Sequence, residues 1–96
     1  MQHIPVCTDN WHANKSEQFD WHNGVTTAPT PCCITQLPNT IWPFVQPSPI
    51  CVPGKDQHGG PGVWPCQIQS GLANGPYSYY VDCCLTGGAP KTVTIP

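Results

Sequence analysis

The chain has 96 residues, of which 8% are charged, and a formal net charge of −2 with histidine neutral. A chain of this length is expected to form one domain with a thin hydrophobic core, which often needs cross-links for stability. Its three lysines are scattered and it has no arginine, which argues against binding to nucleic acids or to anionic membranes. A surface with so few charges is instead expected to pack against a protein partner or against its own copies.

The composition and the pattern of short apolar runs predict an all-β fold. Thirteen prolines and nine glycines disfavour long helices, while the four tryptophans, three tyrosines and two phenylalanines indicate an ordered chain. Strands are predicted at residues 3–8, 17–22, 33–37, 41–45, 63–69, 77–82 and 91–95. About seven short strands at this spacing are typical of a two-sheet β-sandwich. We therefore predict a single sandwich domain over residues 1–96, with a long loop rich in proline and glycine at residues 46–62.

Alternation within the runs predicts which side chains face the core. In the second run, Phe19 and Trp21 share one face of the strand, while Asp20 and His22 share the other. Residues 10–19 are the only segment in which we allow for a helical turn.

The last third of the chain carries the most specific pattern. It consists of Gly75-Pro76-Tyr77-Ser78-Tyr79-Tyr80, then cysteine, a glycine-rich loop, and Lys91-Thr92-Val93-Thr94-Ile95. This pattern resembles the end of a plastocyanin-type cupredoxin, and Phe-Asp-Trp-His-Asn at residues 19–23 resembles the middle strand of that family. The resemblance covers roughly half of the chain and implies a cupredoxin-like β-sandwich.

The resemblance does not extend to the copper site of the family. A blue-copper site needs a histidine, and usually a methionine, shortly after the ligand cysteine, whereas neither follows Cys84. Cys32 and Cys33 occupy the loop that bears the first copper histidine in the family, so the resemblance implies a disulfide between the two loops. An immunoglobulin-like sandwich is the alternative fold, because Cys33, Trp42 and Cys83 follow the cysteine–tryptophan–cysteine order of that fold.

Seven cysteines in so short a chain predict a disulfide framework that forms in an oxidising compartment. Zinc sites favour pairs of cysteines with two or four residues between them. No such pair occurs, so we prefer disulfides to a metal cluster. The disulfide candidates are Cys7, Cys32, Cys33, Cys51, Cys66, Cys83 and Cys84.

The two pairs of adjacent cysteines limit the connectivity. Adjacent cysteines rarely bond to each other, because disulfide geometry is demanding. We predict a Cys51–Cys66 bond that closes the long loop, one bond between the 32/33 pair and the 83/84 pair, and a bond from Cys7 to another member of those pairs. One thiol is left over, and it is either buried and inert or bonded to another chain.

No pattern for catalysis is present. The five acidic residues are not set in a motif with a nucleophile or a base, so we predict no enzymatic activity and no cofactor. The histidines match no ligand spacing and are expected to be solvent-exposed rather than metal ligands; they are His3, His12, His22 and His58. Trp42, Phe44 and Trp64 are candidates for contacts with a partner or a sugar, although we expect at least two of the four tryptophans to fill the core.

These observations favour a non-enzymatic structural or interaction domain on an extracellular assembly, filament or virion surface. A secreted copper- or zinc-binding domain and a carbohydrate-binding module are the alternatives. The first residues lack the charge and apolar run of a signal peptide, so we expect that a leader was removed or that release occurs without one, for example by lysis. No stretch is long and apolar enough to span a bilayer, so membrane insertion is not expected.

Overall fold

The computed structural model describes residues 1–85 and 89–96, which contain eight β-strands in two sheets and no helix. The strands are β1 (Gln2–Pro5), β2 (Asn10–His12), β3 (Gln18–Asn23), β4 (Cys32–Thr35), β5 (Ile50–Val52), β6 (Gly62–Gln67), β7 (Gly75–Val81) and β8 (Lys91–Ile95). One sheet has the order β1-β3-β6 and the other the order β2-β8-β7-β4-β5. The predicted all-β fold of two sheets is therefore confirmed, and no helix in the described ranges is long and apolar enough to cross a bilayer.

Two of the strand pairs are parallel. β1 runs parallel to β3, and β2 runs parallel to β8. The pairs β3–β6, β4–β5, β4–β7 and β7–β8 are antiparallel. Because a parallel pair needs a crossover connection, the chain passes from one sheet to the other between β1 and β2 and again between β2 and β3.

Alternating side chains place the core between the sheets. On β3, Phe19 and Trp21 are fully buried, while Asp20 and His22 lie on the other face and are partly exposed. The face assignment made from the sequence is therefore confirmed. β8 alternates in the same way, but its buried face begins with a charged residue, Lys91, whose Nζ donates to Asp9 Oδ1 at 2.7 Å.

Five aromatic side chains fill the centre of the core. The Trp21 ring packs at steep angles against the other four, with centroid separations of 5.7 Å to Trp11, 5.2 Å to Phe19, 5.3 Å to Phe44 and 5.8 Å to Tyr79. Edge-to-face pairs at such distances each contribute about 0.5–1.5 kcal/mol beyond the burial of their area. The Trp11 indole also donates a hydrogen bond of 2.8 Å to the Tyr79 hydroxyl, which links the edge strand β2 to the central strand β7 of the larger sheet.

Two segments differ from the strands and turns predicted from the sequence. Residues 10–19 contain β2 instead of a helical turn, because the Trp11 side chain enters the core from a strand paired with β8. Residues 41–45 form no strand, and within the described part of the chain their β-pairing consists of the bridge Phe44–Ile68. Pro43 within this segment has no N–H group to continue a ladder of hydrogen bonds.

The segment predicted as a loop at residues 46–62 is also interrupted by a strand. It contains β5, whose Ile50 and Val52 are buried while Cys51 points outward. A three-residue strand inside a segment rich in proline and glycine gives too short an alternating pattern to be recognised. The prediction of one uninterrupted loop was therefore wrong at this strand.

Gly62, the first residue of β6, allows the closest backbone approach in this region. A Cβ atom at this position would overlap the carbonyl oxygen of Pro53 and would lie 2.8 Å from that of Gly54. Both obstacles are main-chain atoms, which cannot rotate away as a flexible side chain can. The beginning of β6 therefore packs against the segment that follows β5 only because residue 62 has no side chain.

We expect Gly62→Ala to lower the free energy of unfolding by about 1–3 kcal/mol, the usual cost of overpacking. The matched control is Gly71→Ala, since a Cβ at Gly71 meets no atom within 4 Å; a surface change of this kind alters stability by less than about 0.5 kcal/mol. Denaturant unfolding with the disulfides intact measures both variants. Equal stabilities of the two variants would contradict the packing argument.

Candidate functional site

Six of the seven cysteines form three disulfides. The bonds are Cys7–Cys84, Cys32–Cys83 and Cys33–Cys51. The predictions of one bond between the two adjacent pairs, and of a bond from Cys7 to another member of those pairs, are confirmed. Three disulfides in a chain of this size are typical of proteins from an oxidising environment.

The predicted Cys51–Cys66 bond was wrong. Cys51 on β5 is the direct cross-strand neighbour of Cys33 on β4, so these two side chains meet within the five-stranded sheet. Cys66 lies on β6 in the other sheet, opposite Phe19, and faces the core. It is the free cysteine of the chain.

The adjacent cysteines connect the three disulfides into one covalent path. The path begins in the connection after β1, continues in the connection after β7 and ends on β4 and β5. Its members in order are Cys7, Cys84, Cys83, Cys32, Cys33 and Cys51. The bonds span sequence separations of 77, 51 and 18 residues. Because a longer closed loop removes more entropy from the unfolded chain in the loop-closure model, Cys7–Cys84 constrains the chain most.

The free thiol of Cys66 is buried. Its Sγ donates to Gln46 Oε1 at 2.9 Å, and the buried indole Nε1 of Trp21 lies nearby without a hydrogen bond of good geometry. Burial raises the pKa of the Cys66 thiol to about 11. Since only the thiolate is a nucleophile, the environment suppresses its reactivity at neutral pH.

We expect Cys66 to resist alkylation in the folded protein at neutral pH and to react fully after denaturation. Intact mass after iodoacetamide treatment should show no label in the native state and one label per chain in denaturant. Because the raised pKa keeps the thiol protonated, native labelling should accelerate as the pH rises and should level off only near pH 11. Rapid labelling of the native protein at neutral pH, or more than one label without reductant, would contradict this arrangement.

Of the three aromatic candidates for partner contacts, one is fully buried and a second is half-buried. Phe44 is 0% exposed and packs against Trp21 in the core, so its prediction as a contact residue was wrong. The bridge to Ile68 draws its side chain inward. Trp42 is half-buried, stacks edge-on against Phe44 and donates through Nε1 to the Gln46 carbonyl at 2.6 Å. With Trp11 and Trp21 also buried, the expectation that at least two tryptophans fill the core is confirmed.

Trp64 is the candidate that the structure leaves accessible, with 44% of its surface exposed. It lies on β6, at the edge of the three-stranded sheet, where it lines a groove of about 230 Å³. The other residues of this Trp64 groove are Gln46, Pro47, Pro49, Ile50 and Cys51. The side chain thus lies at the open margin between the two sheets, next to the short strand β5.

A second surface feature joins residues that are far apart in the sequence. His3 on β1 lies directly opposite Asp20 on β3, and His22 is two residues further along the same face. His3 Nδ1 is 3.7 Å from Asp20 Oδ2, and the two imidazole rings have centroids 4.7 Å apart. The sequence offered no sign of this cluster, because it depends on the parallel pairing of β1 with β3.

No protein-family model and no curated protein matches this chain. Its candidate sites are therefore defined by geometry alone. The Trp64 groove brings apolar side chains together at the surface, and the His3–Asp20–His22 cluster brings metal-ligating side chains together. The groove offers apolar contact area, and the cluster offers two imidazoles and a carboxylate.

Proposed function

We propose that the protein is a non-enzymatic structural or interaction domain, displayed on an extracellular assembly or particle surface such as a filament or a virion. The observation that carries the proposal is the exposed side chain of Trp64 beside the apolar groove. Tryptophan is among the residues most enriched at the energetic centres of protein interfaces. A partner that covers this ring would bury aromatic surface that water now contacts.

The surroundings of the groove support an interface with another protein. Val45, which precedes Gln46 of the groove in the sequence, is 56% exposed. The chain carries only eight charged residues, three basic and five acidic, so few charges oppose close contact with another surface. An apolar centre with few charged residues is the usual composition of the fully buried part of an interface.

The edges of the sheets favour contact through side chains over addition of a further strand. β6 and β1 are edge strands of the small sheet, and they contain Pro65 and Pro5, which cannot donate to a ladder. The edge strands of the larger sheet, β2 and β5, have three residues each. Short edges and prolines are the usual means by which proteins prevent edge-to-edge pairing. We therefore propose that the groove receives an apolar side chain of the partner.

The same proposal assigns the domain to a cupredoxin-like sandwich without the copper ligand set. The parallel pairs β1–β3 and β2–β8 support this assignment over an immunoglobulin-like one, whose sheets are antiparallel. The Cys32–Cys83 bond links the start of β4 to the connection after β7, the two regions that the resemblance places together. The bond that the immunoglobulin order would favour, from Cys33 to Cys83, does not form, since Cys33 pairs with Cys51.

The test is the assembly state of the purified chain and of two variants, measured by size-exclusion chromatography with light scattering over a range of concentrations. We expect the wild-type chain to associate, and we expect Trp64→Ser to raise the midpoint concentration at least about tenfold, since an interface centre contributes 2 kcal/mol or more. The control is Ile41→Ser, because Ile41 is 65% exposed but does not line the groove.

A wild-type chain that stays monomeric and copurifies with no particle of its source would contradict the proposal. If the Trp64→Ser and wild-type chains associated equally, the groove would not be the contact surface of the assembly. Binding of a defined glycan, lost in Trp64→Ser, would favour the alternative of a carbohydrate-binding module instead.

A further inference from the structure

We propose that His3, Asp20 and His22 form a binding site for one divalent transition-metal ion of the zinc class, on the outer face of the three-stranded sheet. Imidazole and carboxylate groups are ligands that zinc prefers when no thiolate is available. Six cysteines are held in disulfides and the seventh is buried, so this site does not depend on sulfur.

The backbone brings the three side chains together without any rearrangement of the loops. Residues 20 and 22 on β3 point to one face because successive residues of a strand alternate. The parallel register sets His3 of β1 opposite Asp20, beside the same face. Two neighbouring strands of one sheet thus supply all three ligands, and a sheet holds its side chains more rigidly than a loop does.

The distances fit a single ion. One ligand atom from each residue lies within 4.8 Å of the other two. Ligands at 2.0–2.2 Å from a tetrahedral ion are about 3.4 Å apart, and His3 Nδ1 and Asp20 Oδ2 are already 3.7 Å apart. A small rotation of the imidazole rings would therefore complete the coordination.

The neighbours of the cluster do not compete for its ligands. The cross-strand neighbours of His22 are Pro5 and Val63, and Pro65 lies opposite Asp20. None of these three side chains carries a charge or a hydrogen-bonding group. Within residues 1–85 and 89–96, the Asp20 carboxylate contacts only His3 among charged groups. The lone pairs of the three ligands therefore remain available to an ion.

Three protein ligands leave one position of a tetrahedral ion open. Water can occupy that position, or a donor group from a second molecule can. The site is independent of the Trp64 groove, since none of its ligands lines the groove. It can therefore be present whether or not the domain assembles as proposed.

The experiment is calorimetric titration of the full chain with Zn²⁺, with the imidazole resonances followed by NMR. We expect one Zn²⁺ per chain, with shifts of the His3 and His22 resonances. His3→Ala and His22→Ala should each weaken binding at least about tenfold, a loss that even indirect partners of a ligand can cause, and Asp20→Asn should weaken it as well. His12→Ala is the matched control, because His12 is an exposed histidine outside the cluster and its removal should leave the affinity unchanged.

Three results would overturn the inference. The first is no binding of Zn²⁺ by the wild-type chain. The second is loss in His3→Ala with retention in His22→Ala, which would place the ion on His3 and main-chain groups. The third is an equal loss in the His12 control, which would indicate dispersed binding to surface histidines. Melting temperatures without metal should match the wild type in all variants, since none of the altered side chains is buried.

Discussion

The packing of four aromatic rings around Trp21 is the contact on which the rest of the structure depends. The small sheet contributes Trp21 itself and Phe19, while Trp11 and Tyr79 come from the larger sheet and Phe44 from the connection between β4 and β5. One indole therefore connects the small sheet, the larger sheet and this connection. The other buried apolar side chains are smaller and belong to the same core.

The disulfides add covalent links to the packing contacts of the aromatic cluster. The covalent path joins the connection after β1, which belongs to the small sheet, to strands β4 and β5 of the larger sheet. Core packing and disulfide bonds together fix the backbones of the two sheets. Trp64 and His22, to which we assign binding roles, belong neither to the buried core nor to the disulfides.

Local patterns predicted the parts of the fold that local chemistry determines. The inward positions of Phe19 and Trp21 follow from alternation over a few residues, and alternation is visible in any sequence. Pairing between distant segments is not visible in this way. The register of β4 against β5 directs Cys33 to Cys51, and the parallel placement of β1 brings His3 to β3. Both depend on contacts that close only when the whole chain has folded.

Two single positions show the same limit of prediction from local sequence patterns. Phe44 follows a proline in the short run at residues 41–45, and its full burial depends on the four other rings that pack against it. Lys91 occupies an inward position of β8, where its chain is 1% exposed and its ammonium reaches Asp9 at the surface. Composition would place a lysine outside, yet a long side chain can bury its methylenes and keep its charged end near an acid.

The Cys7–Cys84 bond gives the domain a further property under mechanical tension. Among the described strands, β1 and β8 are the ones that lie outside the loop that it closes. A pulling force on the two chain ends would therefore detach these strands and then act on the disulfide itself. The strands between the two cysteines would then carry no load, and detachment of β1 and β8 would remove Ile4, Val93 and Ile95 from the core.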